Sequence, residues 1–283
     1  MKTIARLLPM LLLGIAFLST PPVSAQQPAA KPPASEPGEA EQAKAILQRM
    51  ADFLAKAQRF SFNLRIEYDV LQDSGQMIEF GERRKVIVSR PDKLRVDIER
   101  SDGDKGVTVF DGKEVTVFNA SDNVYARVTQ PGNLDGAITH LVGDLQMRLP
   151  LALMLVTTLP QELARRVTEV DYVEKTTLFD VPCDHIAART ATVDFEVWVA
   201  EGERPLPRRV VITYLEEEGQ PQFRAQFSDW NLTPEVPESL FTLTLPPNAE
   251  QIPIVAQLAR NPDGEKPPAA APAPDVEKKE VKP

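Results

Sequence analysis

Residues 60–70 read FSFNLRIEYDV, and apolar and polar residues alternate along the whole stretch. Successive side chains of a β-strand point to opposite faces of the sheet. This stretch therefore predicts a strand with one face buried and the other in water. Antiparallel sheets commonly provide that setting.

The same alternation recurs further along the chain. Between residues 60 and 128, six alternating segments are separated by short turns such as Asp102-Gly103 and Asp111-Gly112, which predicts a meander. Alternation resumes at about Thr168 and continues through five segments: 168–178, 183–190, 193–200, 206–216 and 221–231. The sum predicts about eleven strands.

Two helical regions accompany the strands. Before the first strand, apolar residues recur at helical spacing: Ala43, Ile46, Leu47, Met50, Phe53, Leu54 and Ala57. After the sixth strand, a second helical stripe consists of Leu134, Ile138, Leu141, Val142, Leu145 and Leu149. Residues 151–156 are then apolar on every side, so they must be covered on every side. We expect this insertion to form a helical lid over the sheet.

The two ends of the chain differ from its middle. Lys2 and Arg6 precede the apolar run 7–18, and small residues lead up to Ala25, a pattern typical of a secretory signal peptide. The run is shorter than the roughly 20 residues of a membrane span, although a retained N-terminal anchor is the alternative. We expect export to the periplasm, cleavage after about Ala25 and no integral membrane segment in the mature chain.

Proline content supports a single folded domain, because 16 of the 26 prolines lie outside residues 41–245. The predicted organisation is a signal peptide (1–25), a disordered Pro/Ala-rich linker (26–40), a folded domain (41–247) and a disordered Pro/Ala/Lys/Glu-rich tail (248–283). The formal charge of −9 argues against a nucleic-acid partner, which would require a basic surface.

Candidate chemistry is sparse in a chain with two histidines and one cysteine. Cys183 and His185 share a strand face, but a structural zinc site takes about four ligands, and His140 lies on the lid. Asp194 and Glu196 could form a hydrolytic carboxylate pair, but we expect them to point to water. We therefore predict no catalytic residues, no metal and no cofactor.

Three strings carry a family resemblance: VIVSRPDKLR (86–95), VFDGKEV (109–115) and FTLTLPP (241–247). With the strand pattern, they resemble the periplasmic lipoprotein-carrier, or LolA-like, fold over about residues 40–250. The resemblance implies an α+β fold: a curved antiparallel half β-barrel of about eleven strands, with an N-terminal helix and a helical lid inserted after strand six. It also implies that Arg90 latches the lid by hydrogen bonds to its backbone; otherwise Arg90 satisfies a turn or a surface carboxylate.

A closer similarity is to a set of uncharacterised, predicted periplasmic proteins within that fold group. The similar segments are residues 133–159, FDVPCDH (179–185) and ERPLPRR (203–209). This kinship implies the fold and transfers no activity.

The predicted function is non-catalytic binding of a lipid, an acylated protein or another hydrophobic ligand in the concave apolar face. The alternative is an envelope interaction or sensor module, whose cavity is filled by its own helices and which docks a protein partner. The candidate binding residues are Phe62, Leu64, Ile66, Tyr68, Leu94, Val96, Ile98, Leu141, Leu145, Leu149, Met154, Phe195, Phe223 and Phe227. The aromatic members are most simply ordinary core, and the lining of a lipid-accepting groove is the alternative.

Two smaller expectations concern the surface. Trp198 and Trp230 lie out of phase with the inward residues of their strands, so they face solvent or a partner, or pack beneath a loop. Residues 216–218 are three glutamates, which we expect to form a solvated turn.

Overall fold

Twelve strands form one open, curved sheet in the computed structural model, which describes residues 37–254. They are β1 (Arg59–Leu71), β2 (Met77–Ser89), β3 (Lys93–Arg100), β4 (Lys105–Phe110), β5 (Glu114–Asn119), β6 (Val124–Thr129), β7 (Glu169–Leu178), β8 (Val181–Arg189), β9 (Val193–Ala200), β10 (Pro207–Tyr214), β11 (Gln222–Asn231) and β12 (Glu250–Gln251). Their order across the sheet is β12-β6-β5-β4-β3-β2-β1-β11-β10-β9-β8-β7. The predicted fold class is confirmed.

The helices are α1 (Pro37–Lys56), α2 (Leu134–Thr139) and α3 (Leu159–Arg166). A π-helical turn (His140–Asp144) follows α2 directly, and 3₁₀ turns occupy Ala152–Leu155 and Glu238–Phe241. We call the sheet face that carries Phe62 the inner face, since the helices pack there, and the opposite one the outer face.

Helix α1 begins within the predicted linker. Proline is well tolerated in the first turn of a helix, where its missing N–H costs no hydrogen bond, so the helix extends back to Pro37. Residues 37–40 are thus helical rather than part of a disordered spacer. Further along, α1 buries its apolar stripe against β7, β8, β9 and α3: Ala43, Ile46, Leu47, Met50, Ala51 and Leu54. The predicted signal peptide lies outside the described residues.

The insertion after β6 is less regular than its apolar stripe predicts. The stripe predicts a helix over 134–149, but regular α-helix ends at Thr139, and residues 145–151 are not helical. Gln146 (φ 50°) and Leu151 (φ 67°) have left-handed backbone conformations, which interrupt a right-handed helix. Pro150 also disfavours helical geometry at the residue before it.

The C-terminal boundary lies beyond the predicted one. Strand β12 pairs with β6 in parallel, the Asn123 side-chain amide donates to the Asn248 carbonyl (2.8 Å), and Ile254 is buried in the core. Residues 248–254 therefore belong to the fold and not to a disordered tail. Glu250 and Gln251 carry no apolar alternation, so the pattern of the sequence did not reveal this twelfth strand.

A small second apolar cluster covers part of the outer face. Ile87 and Val109 are buried there beneath Phe241, which lies in the last 3₁₀ turn. Arg95 fastens this turn, because its guanidinium donates to the Leu240 carbonyl (3.1 Å) and pairs with Asp97 (2.7 Å). The chain thus crosses the outer face before β12 returns it to the sheet edge.

The revised C-terminal boundary predicts the effect of two truncations. A chain ending at Pro247 should lose about 2 kcal/mol in free energy of unfolding, because the buried side chain of Ile254 and the β12 hydrogen bonds are removed. Urea denaturation measures the loss. A chain ending at Ala256 is the matched control and should match the full-length chain; equal stability of the two truncations would contradict the boundary.

Candidate ligand-binding site

An apolar cavity of about 660 Å³ lies between the sheet and the insertion after β6. Residues 134–157 form its cover and are called the lid from here on. The sheet side of the cavity is formed by residues of β1 to β6, and the lid side by residues such as Leu141, Leu149 and Leu155. Its volume falls within the roughly 300–1,000 Å³ of small-molecule sites.

Half of the predicted binding residues line this cavity. They are Phe62, Leu64, Leu94, Val96, Ile98, Leu141 and Leu149. The β-strand members fall on one face because they follow each other at intervals of two residues on β1 and β3. The lid members reach the cavity from the π-helical turn and from the segment that follows it.

The other half belongs to the packed core instead. These residues are Ile66, Tyr68, Leu145, Met154, Phe195, Phe223 and Phe227. Ile66, Phe223 and Phe227 are fully buried, and the remaining four pack against the core while partly exposed. The inner face is therefore not one continuous groove, since α1 and its neighbours fill the part nearest β7, β8 and β9.

Arg90 bonds the lid to the body of the protein. Its guanidinium donates to the Leu155 carbonyl in the lid (2.7 Å) and to the Ala57 carbonyl after α1 (3.0 Å), and it lies 5.3 Å from the Phe60 ring centre. Burial lowers the pKa of Arg90, an effect that the nearby Asp135 carboxylate opposes. Because arginine remains charged even so, both hydrogen bonds have a cationic donor. This is the geometry that the carrier resemblance implies.

Asp135 joins the two ends of the lid. Its carboxylate accepts from the Thr157 backbone N–H (3.0 Å) and from the Thr157 hydroxyl. The lid is anchored close by, where the Leu134 N–H donates to the Pro91 carbonyl (2.7 Å). Sequence reasoning did not single out Asp135, because an acidic residue in the first turn of a helix is common without any further role.

The middle of the lid has a third attachment. Arg148 forms an ion pair with Glu217 in the β10–β11 turn and lies 4.5 Å from the centre of the Tyr214 ring. Hydrogen bonding to Glu217 raises the pKa of Arg148. The expectation of a merely solvated turn at residues 216–218 is wrong for Glu217, which contacts the lid.

Charged side chains occupy part of the inner face of β2. Val88, Val86, Arg84 and Glu82 follow each other at intervals of two, so all four share that face, and the last three line the cavity. Arg84 forms an ion pair with Glu82, while its Nε atom is buried without a hydrogen-bond partner among the described residues. The two-residue period counted back from Val88 could have identified both residues in the sequence.

The charge of the Glu82 carboxylate acts on the Tyr68 phenol. Burial raises the pKa of the Tyr68 phenol, and the Glu82 carboxylate raises it further. The ring also stacks on Phe80 at a centroid distance of 6.0 Å.

Cys183 and His185 lie outside the cavity and contact other residues. His185 stacks on the Trp198 ring (4.0 Å between centroids), and its Nε2 atom lies 2.8 Å from the Glu196 carboxylate. Burial raises the pKa of the Cys183 thiol, which makes it a weaker nucleophile. Within residues 37–254, no group of three or more His, Cys, Asp or Glu residues could hold a metal ion. Asp194 pairs with Arg189 (2.7 Å).

Trp230 lies on the inner face, against its expected phase. The pairing of β1 with β11 shifts register between Ser61 and Asn63, and Asp229 has a left-handed φ of 54°. Such a bulge adds one residue and reverses the side to which the following residues point. The Trp230 ring therefore packs 4.4 Å from that of Phe62, and its Nε1–H donates to the Pro207 carbonyl (3.1 Å).

The open sheet, its inner-face helices and the lidded cavity define a curved antiparallel half-barrel with a helical cover. More particularly, the chain belongs to the family described as "Predicted periplasmic protein (DUF2092)", whose model matches residues 43–255. The predicted kinship is thereby confirmed. No curated protein matches the chain in sequence. Among residues 37–254, the helices are too short or too polar to cross a membrane.

Several solved structures are similar to this chain. The LolA superfamily protein from Nitrosomonas europaea is 14% identical with a TM-score of 0.37, over 71% of this chain and 97% of that one. Lipoprotein LppX from Mycobacterium tuberculosis is 13% identical with a TM-score of 0.46, over 70% and 99%. A chain of the Pseudomonas aeruginosa MucA/MucB complex is 17% identical with a TM-score of 0.39, over 70% and 60%.

The contacts of Arg90 predict a local effect of its substitution. In Arg90→Gln, the amides of residues 152–157 should exchange at least about tenfold faster, since a hydrogen bond from a charged donor contributes about 1.5–3 kcal/mol. Hydrogen exchange followed by mass spectrometry measures this. Arg95→Gln is the matched control, because Arg95 also donates to a backbone carbonyl but on the outer face. Equal exchange of the lid in both variants would refute the latch.

Proposed function

We propose that this chain is a non-catalytic periplasmic binding protein, which holds a lipid, an acylated protein or another hydrophobic ligand in the lidded cavity. The observation that carries the proposal is the cavity of about 660 Å³ with a mainly apolar lining. An acyl chain that enters it gains about 0.8 kcal/mol for each buried CH₂ group. Burial of about ten such groups contributes about 8 kcal/mol, which corresponds to a micromolar dissociation constant before the cost of association is subtracted.

The cavity is partly open to solvent, and few polar contacts hold the lid that covers the rest of it. Arg90, Arg148 and the Leu134 N–H attach the lid to the rest of the protein. Asp135 binds Thr157 within the lid itself. Its middle lacks regular α-helical hydrogen bonds, and the π-helical turn is a feature often found at functional sites. Segments of this kind open locally at lower free energy than the core.

The alternative function is an envelope interaction or sensor module whose own helices fill the inner face. The packing of α1 and α3 beside β7 favours it, because that part of the face has a solid apolar core. The volume beneath the lid favours ligand binding instead. The two functions differ in what the purified protein retains, a hydrophobic molecule or a stoichiometric protein partner.

Filling the cavity provides the test. In Val96→Trp, the indole should occupy the space above β3, so the affinity for a fluorescent acyl probe should fall at least about tenfold. Probe fluorescence titration measures the affinity, and circular dichroism checks that the variant folds. Glu99→Trp on the outer face of the same strand is the matched control and should bind like the unmodified protein. Unchanged binding by Val96→Trp would count against this site.

A further inference from the structure

The cavity is apolar at one end and basic at the other. Along β3, the inner-face residues are Leu94, Val96, Ile98 and Arg100, a distance of about 20 Å at roughly 3.3 Å per residue. Arg100 lies opposite Glu82 on β2, and Arg84 lies opposite Ile98. The charged side chains thus gather near the β3–β4 turn, while Arg90 lies at the other end of β2.

Positive charge predominates among the side chains that line this cavity. The four basic ones are Arg84, Arg100, Lys105 and Arg148, and the two acidic ones are Glu82 and Asp104. This local excess occurs in a chain whose formal net charge is −9. The basic end is therefore a local feature rather than a reflection of average composition.

The two arginines nearest the apolar lining retain unused donors. A guanidinium group has five N–H donors, whereas Arg84 pairs with Glu82 and leaves its buried Nε–H without a partner among the described residues. The nearest carboxylate oxygen to Arg100 belongs to Asp104 at 3.8 Å, which is beyond hydrogen-bond distance. Both guanidinium groups therefore have N–H donors that could bind an additional anion.

We infer that the ligand is an amphiphile with an acyl chain and an anionic head group, a phosphate or a carboxylate. The acyl chain lies between the lid and Val96, and the head group binds Arg84 and Arg100. Arginine matches the planar or tetrahedral oxygens of such groups with paired hydrogen bonds. This inference rests on the proposed function and deepens it by specifying the ligand's chemical class.

The experiment compares two lipids that share one acyl chain. Palmitoyl lysophosphatidylglycerol carries an anionic phosphodiester head group, and monopalmitoylglycerol, which has no phosphate, carries a neutral one. Each displaces a bound fluorescent acyl probe from the full-length mature protein below its critical micelle concentration. We expect the anionic lipid to bind at least about tenfold more tightly, the effect of one charge-assisted hydrogen bond.

Substitutions of Arg84 and Arg100 test whether these inner-face residues cause the preference for the anionic lipid. Arg100→Gln should reduce the ratio of the two affinities toward one and leave monopalmitoylglycerol binding unchanged. Arg84→Gln should do the same, and the double variant Glu82→Gln/Arg84→Gln avoids leaving a buried carboxylate unpaired. Arg83→Gln is the matched control, because Arg83 lies next to Arg84 but its side chain is 74% exposed and faces outward. It should retain the full ratio.

Several results would overturn the inference. Equal affinity for both lipids, or an equal loss for both in Arg100→Gln and in the double variant, would mean that the arginines do not select the head group. Competition by glycerol phosphate alone at the same concentrations would assign the basic end to free phosphate instead of an amphiphile. Displacement by neither lipid would refute the proposed function itself, a result distinct from a loss of selectivity.

Discussion

The apolar inner face of a curved, open sheet has to be covered, and the other features of this molecule follow from that requirement. An uncovered apolar face of this size would favour association with other molecules. Helix α1 covers the strands near β7 with a solid core. The lid covers the strands near β3 and leaves a volume of about 660 Å³. One half of the same face is thus filled by packed side chains, and the other half encloses a cavity.

The lid differs from α1 in how it is held. Helix α1 is continuous and buries most of its apolar stripe, whereas the lid changes from α-helix to π-helical turn to irregular chain within a few residues. Arg90 and Arg148 bind the lid to different parts of the protein, and Asp135 joins its two ends. Discrete polar contacts can be exchanged for water at modest cost, unlike a packed apolar interface. The lid also buries Leu134, Ile138 and Val156 in the core, so its opening would expose apolar surface in addition to breaking these polar contacts.

Most of the architecture could be predicted because two-residue alternation and helical spacing reflect burial directly. Residues 60–70 indicated a half-buried strand, and the carrier resemblance pointed to the contacts that Arg90 makes. What could not be predicted depends on long-range pairing. The polar residues of β12 form a strand only because β6 lies beside them, and the bulge at Asp229 that turns Trp230 inward is not visible in the period of β11. Arg84, in contrast, was detectable from the alternation of its own strand.

The volume beneath the lid could not be predicted from the sequence either. A stripe of apolar residues shows that a segment is covered, but it does not show how closely the segment packs against its cover. The most direct test is native mass spectrometry of the mature protein, purified from the periplasm without detergent. Our account predicts a species heavier than the polypeptide by the mass of one amphiphile, which is released on denaturation. A clean polypeptide mass, with no uptake of an acyl probe and a crosslinked protein partner in equal amount, would contradict it.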